Sequence, residues 1–237
     1  MNDYILKIDH KLAEIKRVNK NMSRFLNAIT FLNPIIIGGF IRDVINNSEI
    51  RDIDIVLNTP DNSELERIIK DNNIEYHLNS FFGYKLFIDN YTIDIWNIKN
   101  HNLFKEGIYD PTINNLNKTT FINYDSLVYD LNNKQLNINY YLDSINRNII
   151  DFVGNKEAVE NNKHAFLSIG KIFLISYKYG MNISDTVKEY IIKYYYDYPD
   201  FIQKLKLEYE RHYDTKMDEK LEKFIGVKMK QYIKRTN

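Results

Sequence analysis

An isoleucine run, a glycine pair and an Asp-Ile-Asp strand stand within residues 35–57, IIIGGFIRDVINNSEIRDIDIVL. No other stretch constrains the chain as much. Residues 35–37 read as a short buried strand, Gly38-Gly39 as the turn into a short helix, and residues 50–57 as a second strand. Successive strand side chains point to opposite faces, so Asp52 and Asp54 share one face while Ile53 and Ile55 share the other. Residues two apart on a strand lie about 7 Å apart at Cα, so both carboxylates can reach one cluster of charge. Two such anions repel, and one takes up a proton unless a cation lies between them. Mg²⁺ answers that need, because it prefers oxygen ligands and takes one or two carboxylates together with substrate phosphates.

A third acid follows in the same setting. In NYTIDIWNI (90–98), Asp94 is flanked by isoleucines and shares a strand face with Thr92 and Trp96. If this strand neighbours 50–57, then Asp52, Asp54 and Asp94 converge, the carboxylate set of a two-metal phosphoryl-transfer site. Gly38-Gly39 would let backbone approach phosphate closely at a helix N-terminus. Arg42, on the first turn, would add a guanidinium fork for phosphate oxygens. Taken singly, a glycine pair is a tight turn and an Asp-x-Asp a common accident; the joint order of strand, glycines, helix and acidic strands carries the reading.

Lys+Arg and Asp+Glu both total 32 in 237 residues, so overall charge selects no partner class. The chain has no cysteine, which excludes disulfides, thiol nucleophiles and thiolate metal sites. The five histidines (10, 77, 101, 164, 212) show no metal-ligand spacing. No apolar run approaches the ~20 residues of a membrane span, and the expectation is a cytoplasmic protein. Asn, Ile, Lys and Tyr share A/T-rich codons, so YIIKYYYDY (190–198) reads as a helical core face rather than a base-stacking platform. Residues 223–237 hold Lys223, Lys228, Lys230, Lys234 and Arg235 without an acid, which reads as a solvated helix face with phosphate binding as the alternative. Glu106 and Asp110 read as part of a plain surface loop, with a loop covering the nucleotide as the alternative.

Apolar residues at steps of three, four or seven predict one helix over 4–29, broken by Pro34. Ser63 and Glu66 have capping-box spacing, predicting a helix to about residue 71. Short strands are expected near 74–78, 84–88 and 91–97, with Asp89-Asn90 as a hairpin turn. A helix around 119–130 and a strand at 147–152 follow. Beyond residue 155 the pattern is helical, with Ser184 as an N-cap. The expected fold class is therefore α+β, with a head over residues 1–154 that includes the N-terminal helix and an all-helical region over 155–237.

The GGFIRD (38–43) and DID (52–54) motifs resemble the signature of the DNA polymerase beta-like nucleotidyltransferase superfamily, in particular the head of poly(A) polymerases and CCA-adding tRNA nucleotidyltransferases. KTTFINYDSL (118–127), NIIDFVGNKE (148–157) and KIFLISYKYGMNI (171–183) resemble later family segments, the last being a neck helix. The resemblance covers about residues 30–190. It implies a small mixed sheet with helices, followed by a helical neck. It also implies two Mg²⁺ ions, with Mn²⁺ as a substitute, held by Asp52, Asp54 and Asp94 as catalytic ligands. Gly38, Gly39 and Arg42 match nucleotide contacts, Lys118 stands where the family has an arginine, and Lys171 corresponds to a neck arginine. The implied substrates are an NTP, ATP or CTP, and an RNA 3′ end, with release of pyrophosphate.

The neck motif that reads the incoming base departs from the family pattern. In HAFLS (164–168), Ala165 stands for the family's aspartate and Ser168 for its arginine, so strict CCA addition is not expected. The chain ends soon after the neck, leaving little room for an RNA-gripping body. Two other readings stay open: nucleotidylation of a protein or small molecule, and a nucleotide- or RNA-binding module without catalysis.

Overall fold

The computed structural model describes residues 1–79 and 82–236, with the side chains of Arg235 and Thr236 left out. Arg235, one of the C-terminal cations named above, thus lies outside the described side chains. The chain forms two units, Met1–Thr120 with Asp125–Tyr141, and Phe121–Tyr124 with Leu142–Asn237.

In the first unit, α1 (Asn2–Val18) and α2 (Lys20–Ala28) replace the single helix expected over 4–29. Asn19 divides them in an extended conformation, φ −118° and ψ 102°, and its amide donates to Ile15 O at 3.1 Å. Asparagine competes with the helix for backbone partners in this way. The apolar stripe continues across the break, with Ile8, Leu12, Ile15, Met22 and Phe25 all buried.

Among the described residues, seven strands form one mixed sheet: β1 (Pro34–Ile37), β2 (Asp52–Leu57), β3 (Glu75–Leu78), β4 (Tyr84–Ile88), β5 (Tyr91–Asn97), β6 (Val128–Asp130) and β7 (Gln135–Asn137). Their spatial order is β3-β4-β5-β2-β1-β6-β7. Pro34 opens β1, where a missing N–H costs least. The β1–β2 pair is antiparallel and β2–β5 is parallel. Between β1 and β2 runs the short helix α3 (Gly39–Ile45), and α4 (Ser63–Asp71) follows β2. Ser63 opens α4 but does not cap it; Asp61 Oδ1 accepts from Ser63 N at 2.9 Å and takes the capping role by an Asx turn.

The helix expected over 119–130 does not form; short 3-10 turns stand at Asn117–Thr119 and Asn123–Asp125. Thr119 and Thr120 hydroxyls donate back to the carbonyls of Leu116 and Asn117, and Phe121 sits at φ +67°. Local side-chain bonds and a left-handed residue break the helix path, and Val128–Asp130 then joins β1 as β6. Two short helices, α5 (Asn102–Lys105) and α6 (Ile113–Leu116), complete the link from β5 to this segment.

α7 (Asn139–Arg147) runs from the first unit into the second. In the second unit, the strand expected at 147–152 shortens to β8 (Ile149–Ile150), which pairs in parallel with β9 (Asn182–Ile183). Helices α8 (Lys156–Glu160), α9 (Ala165–Tyr179), α10 (Asp185–Asp197), α11 (Phe201–Tyr213) and α12 (Glu219–Thr236) make up the rest. Ser184 caps α10 by accepting from Val187 N. Tyr190 packs on Phe152, and Tyr194 and Tyr198 on Phe166, with ring centroids 5.2–5.6 Å apart, so these tyrosines serve the helical core. No helix among the described residues is long and apolar enough to cross a membrane.

Candidate functional site

Strand alternation builds the site. Ile53, Ile55, Ile93 and Ile95 are fully buried on one face of the sheet. On the other, Asp54 lies directly beside Asp94 and Asp52 beside Thr92 in the parallel β2–β5 ladder. Ile37 of β1 pairs with Asp54 from the opposite side. The three acids therefore share one face at adjacent positions of neighbouring strands, as the sequence predicts. Farther along the same face, Val56 and Trp96 join Ile35, Ile37, Ile98, Phe104, Leu116 and Val128 in a buried apolar cluster. One end of the face is thus sealed and the other carries the carboxylates.

Two cations that the sequence reading passed over hold these acids. Arg51 contacts Asp52 Oδ2 through Nη2 at 2.6 Å and Nε at 3.0 Å. Lys85, opposite Asp94 in the β4–β5 ladder, places its ammonium 3.5 Å from Asp94 Oδ2. Asn79 donates to Asp94 Oδ1 at 3.3 Å. Burial pushes the Asp94 carboxyl above the usual range; Lys85 and Asn79 oppose that, and the charge of Asp52 reinforces it. Lys85 was legible in principle, as the single cation within the apolar strand YKLFI.

The glycine turn lies against the same acids. Gly38 adopts φ +66°, ψ −122°, a conformation that side chains other than hydrogen rarely reach, and its N–H donates to Leu127 O at 2.8 Å. A Cβ on Gly39 would stand 3.6 Å from Arg42 Nη2 and 4.0 Å from Asp52 Oδ1, which places the turn, the arginine and the first acid within one small space.

Arg42 is not a free fork. Its Nε donates to Asp43 Oδ1 at 2.9 Å, and Nη1 bonds Asp125. Burial by itself would favour the neutral guanidine, but the charges of Asp125 and Asp43 outweigh it and raise its pKa above the ordinary value. Burial also raises the Asp43 carboxyl, against the pull of Arg42 and with Asp125 and Asp52 adding to the rise. Asp43 and Asp125 are thus structural members of the site that sequence reasoning missed. Asp43 stood next to the arginine in the quoted motif. Asp125 is 83 positions away and became visible only with the fold.

Carboxylate oxygens on one sheet face are the hard donors that a divalent cation takes, and mutual repulsion between Asp52 and Asp94 is the feature that such a cation relieves. As the side chains stand, no group of three or more Asp, Glu or His among the described residues is gathered closely enough to hold a metal ion. Arg51 and Lys85 instead neutralise Asp52 and Asp94.

Residues 35–164, more than half of the chain, match the family model of the poly A polymerase head domain. The chain belongs to this family. The α+β head with a helical C-terminal region is therefore that of a poly(A) polymerase- and CCA-adding-like nucleotidyltransferase fold. No curated protein sequence matches the chain. Among solved structures, a CCA-adding enzyme in its apo form superposes with TM-score 0.64 at 16% identity, covering 90% of this chain and 51% of that one. A CCA-adding enzyme in complex with ATP gives 0.62 at 17%, covering 87% and 51%. The Thermotoga maritima CCA-adding enzyme complexed with tRNA gives 0.61 at 16%, covering 90% and 51%. At these identities the likeness is one of fold, and the chain spans about half the length of the structures it matches.

Two further expected contacts are Lys118 and Lys171. Lys118 directs its ammonium to Asn115 Oδ1 at 3.0 Å and towards the Tyr109 ring, both on its own segment. Lys171 lies on α9, in the second unit. At the departed neck positions, Ala165 is buried and Ser168 Oγ accepts from Asn162 at 2.9 Å.

Proposed function

We propose that this head domain transfers a nucleoside monophosphate from an NTP, ATP or CTP, to an RNA 3′-hydroxyl, releasing pyrophosphate. The observation that carries this reading is the side-by-side placement of Asp52, Asp54 and Asp94 on one sheet face beside the Gly38-Gly39 turn. In this reading residues 1–154 form the catalytic head and 155–237 the neck and C-terminal region.

The three aspartates would hold Mg²⁺, or Mn²⁺ in its place. Two such ions supply activation of the attacking hydroxyl and neutralisation of charge on the leaving pyrophosphate. Loading the site requires Arg51 and Lys85 to yield the carboxylate oxygens they now hold. Released, both cations would be free to offset the negative charge of a triphosphate. Gly38 and Gly39 admit the phosphates because neither presents a side chain. Arg42 keeps at most part of its five N–H donors for phosphate, since Asp43 and Asp125 engage Nε, Nη1 and Nη2. Its service is therefore preorganised: it stays charged and fixed before the nucleotide binds. Lys118 and Lys171 are proposed to add further nucleotide contacts.

The test supplies purified protein with Mg²⁺, each α-labelled NTP and total cellular RNA with lysate proteins. RNase-sensitive label, lost by at least about 10²-fold in Asp54→Asn, is the expected result. RNase-resistant label would move the acceptor to a protein or small molecule. Full activity in Asp54→Asn would overturn the assignment of the carboxylates.

A further inference from the structure

The helical unit carries a basic groove of its own. A cavity of about 740 Å³ opens between the start of α10 and the later turns of α12. Lys188 lines it from α10, and Lys228 and Lys234 from α12, with Gln231 and Tyr232 between them. Asp185 is the one acid among the lining residues, and Lys188 already neutralises it at 2.7 Å. Tyr232 is buried, with the Lys188 ammonium 5.9 Å from its ring centre, so it forms part of the floor. Lys228 and Lys234 thus line the groove with no acid among its described lining residues other than Asp185, and the Lys228 ammonium also lies 5.3 Å from the centre of the Phe224 ring.

The spacing of these charges selects the occupant. Lys234 stands six residues after Lys228, a rise of about 9 Å and a turn that sets the two about 120° apart round the helix, on either side of Gln231. That is too far for both to close on one phosphate and suits successive phosphates of a strand. Complementing the helix dipole accounts for a lysine in the last turn of α12 but not for Lys228, since the effect falls off within that turn. Lysine is a flexible point charge that contacts phosphate without reading a base.

We propose that this groove binds the phosphate backbone of a single-stranded RNA, contacting it through Lys228 and Lys234 irrespective of sequence. The proposal rests on the RNA-acceptor reading for the identity of the strand and gives that strand a holding surface outside the carboxylate site.

The test is fluorescence anisotropy of a labelled, unstructured 12-nucleotide RNA on the full chain from 50 to 300 mM salt. Lys228→Glu/Lys234→Glu is compared with Lys220→Glu/Lys223→Glu, an equal charge change on the same helix outside the groove lining. Lys228→Gln/Lys234→Gln removes the charge without reversing it, and thermal melts establish that each variant folds. The groove variants should weaken binding at least tenfold. Each lost phosphate contact should also reduce the slope of log K against log salt by about 0.7. The control pair should stay within about twofold of wild type. Equal losses in groove and control pairs would overturn the proposal, as would an unchanged slope in the glutamine pair or no RNA binding by the wild type. Label transfer is measured in parallel. RNA held in the groove but never extended would sink the transfer reading alone; extension with an unchanged KM for RNA in the groove variants would sink this proposal alone.

Discussion

The two ends of one sheet face obey the same alternation and reach opposite outcomes. At one end Val56 and Trp96 pack with Phe104, Leu116 and Val128, and water is excluded. At the other, two residues back along the same strands, Asp54 and Asp94 stand side by side and are only half-buried. Ladder geometry places both pairs identically; side-chain chemistry alone decides which is core and which is site. The apolar end gains stability from burial, roughly 25 cal/mol per Å² removed from water. The acidic end gives stability up, because neighbouring carboxylates repel and burial penalises their charge. A chain that keeps such an end carries groups whose use lies outside folding.

That contrast predicts where each kind of substitution should hurt. Trp96→Ala should cost the most stability, about 3–5 kcal/mol by urea denaturation, because it empties the centre of the sealed end. A cost below 1 kcal/mol would mean that the apolar end is not the anchor described.

His101 gives the sealed end a pH limit. It caps α5, its Nδ1 accepting from Leu103 N at 3.3 Å, and its ring packs on Phe104. Burial pushes its pKa down to about 4, from the ordinary 6.5. Above pH 6.5 the imidazole is neutral in both folded and unfolded chains. As pH falls towards 4 the unfolded chain takes up a proton that the folded one refuses. Stability should therefore drop by roughly 3 kcal/mol across that window, and His101→Asn, which keeps a capping acceptor, should remove this component. Melting temperatures of both proteins between pH 7 and pH 4 would check it, and parallel curves would contradict it.

The smallest effect belongs to the turn beside the acids. Gly38→Ala forces a side chain into φ +66°, ψ −122° and should cost about 1–3 kcal/mol, although a Cβ there meets nothing closer than 3.9 Å. Because the strain falls at the acidic end, the proposed NMP transfer should fall further than stability alone explains. Activity that follows only the folded fraction would leave Gly38 a structural glycine.

The strands of the site were legible because alternation with isoleucine survives in sequence, in DIDIVL and YTIDIWN. Their adjacency was only a condition there, and the parallel β2–β5 ladder meets it. Two kinds of feature escaped. One is long-range pairing: Asp125 on Arg42 and Lys85 on Asp94 depend on strand order, which no local period records. The other is competition by polar side chains. Thr119 and Thr120, each bonding a carbonyl three residues back, end a helix that composition had suggested, and Asn19 divides another.

On the proposed function, the acidic end of the sheet holds divalent metal together with a nucleotide. Electron paramagnetic resonance of Mn²⁺ with a non-hydrolysable NTP analogue tests it most directly, on wild type and on Asp54→Asn. The wild type should take up about two Mn²⁺ per chain in the presence of the analogue, and the variant one or none, with its melting temperature unchanged or raised by the lost repulsion. Equal Mn²⁺ uptake by both proteins would mean that Asp54 holds no metal.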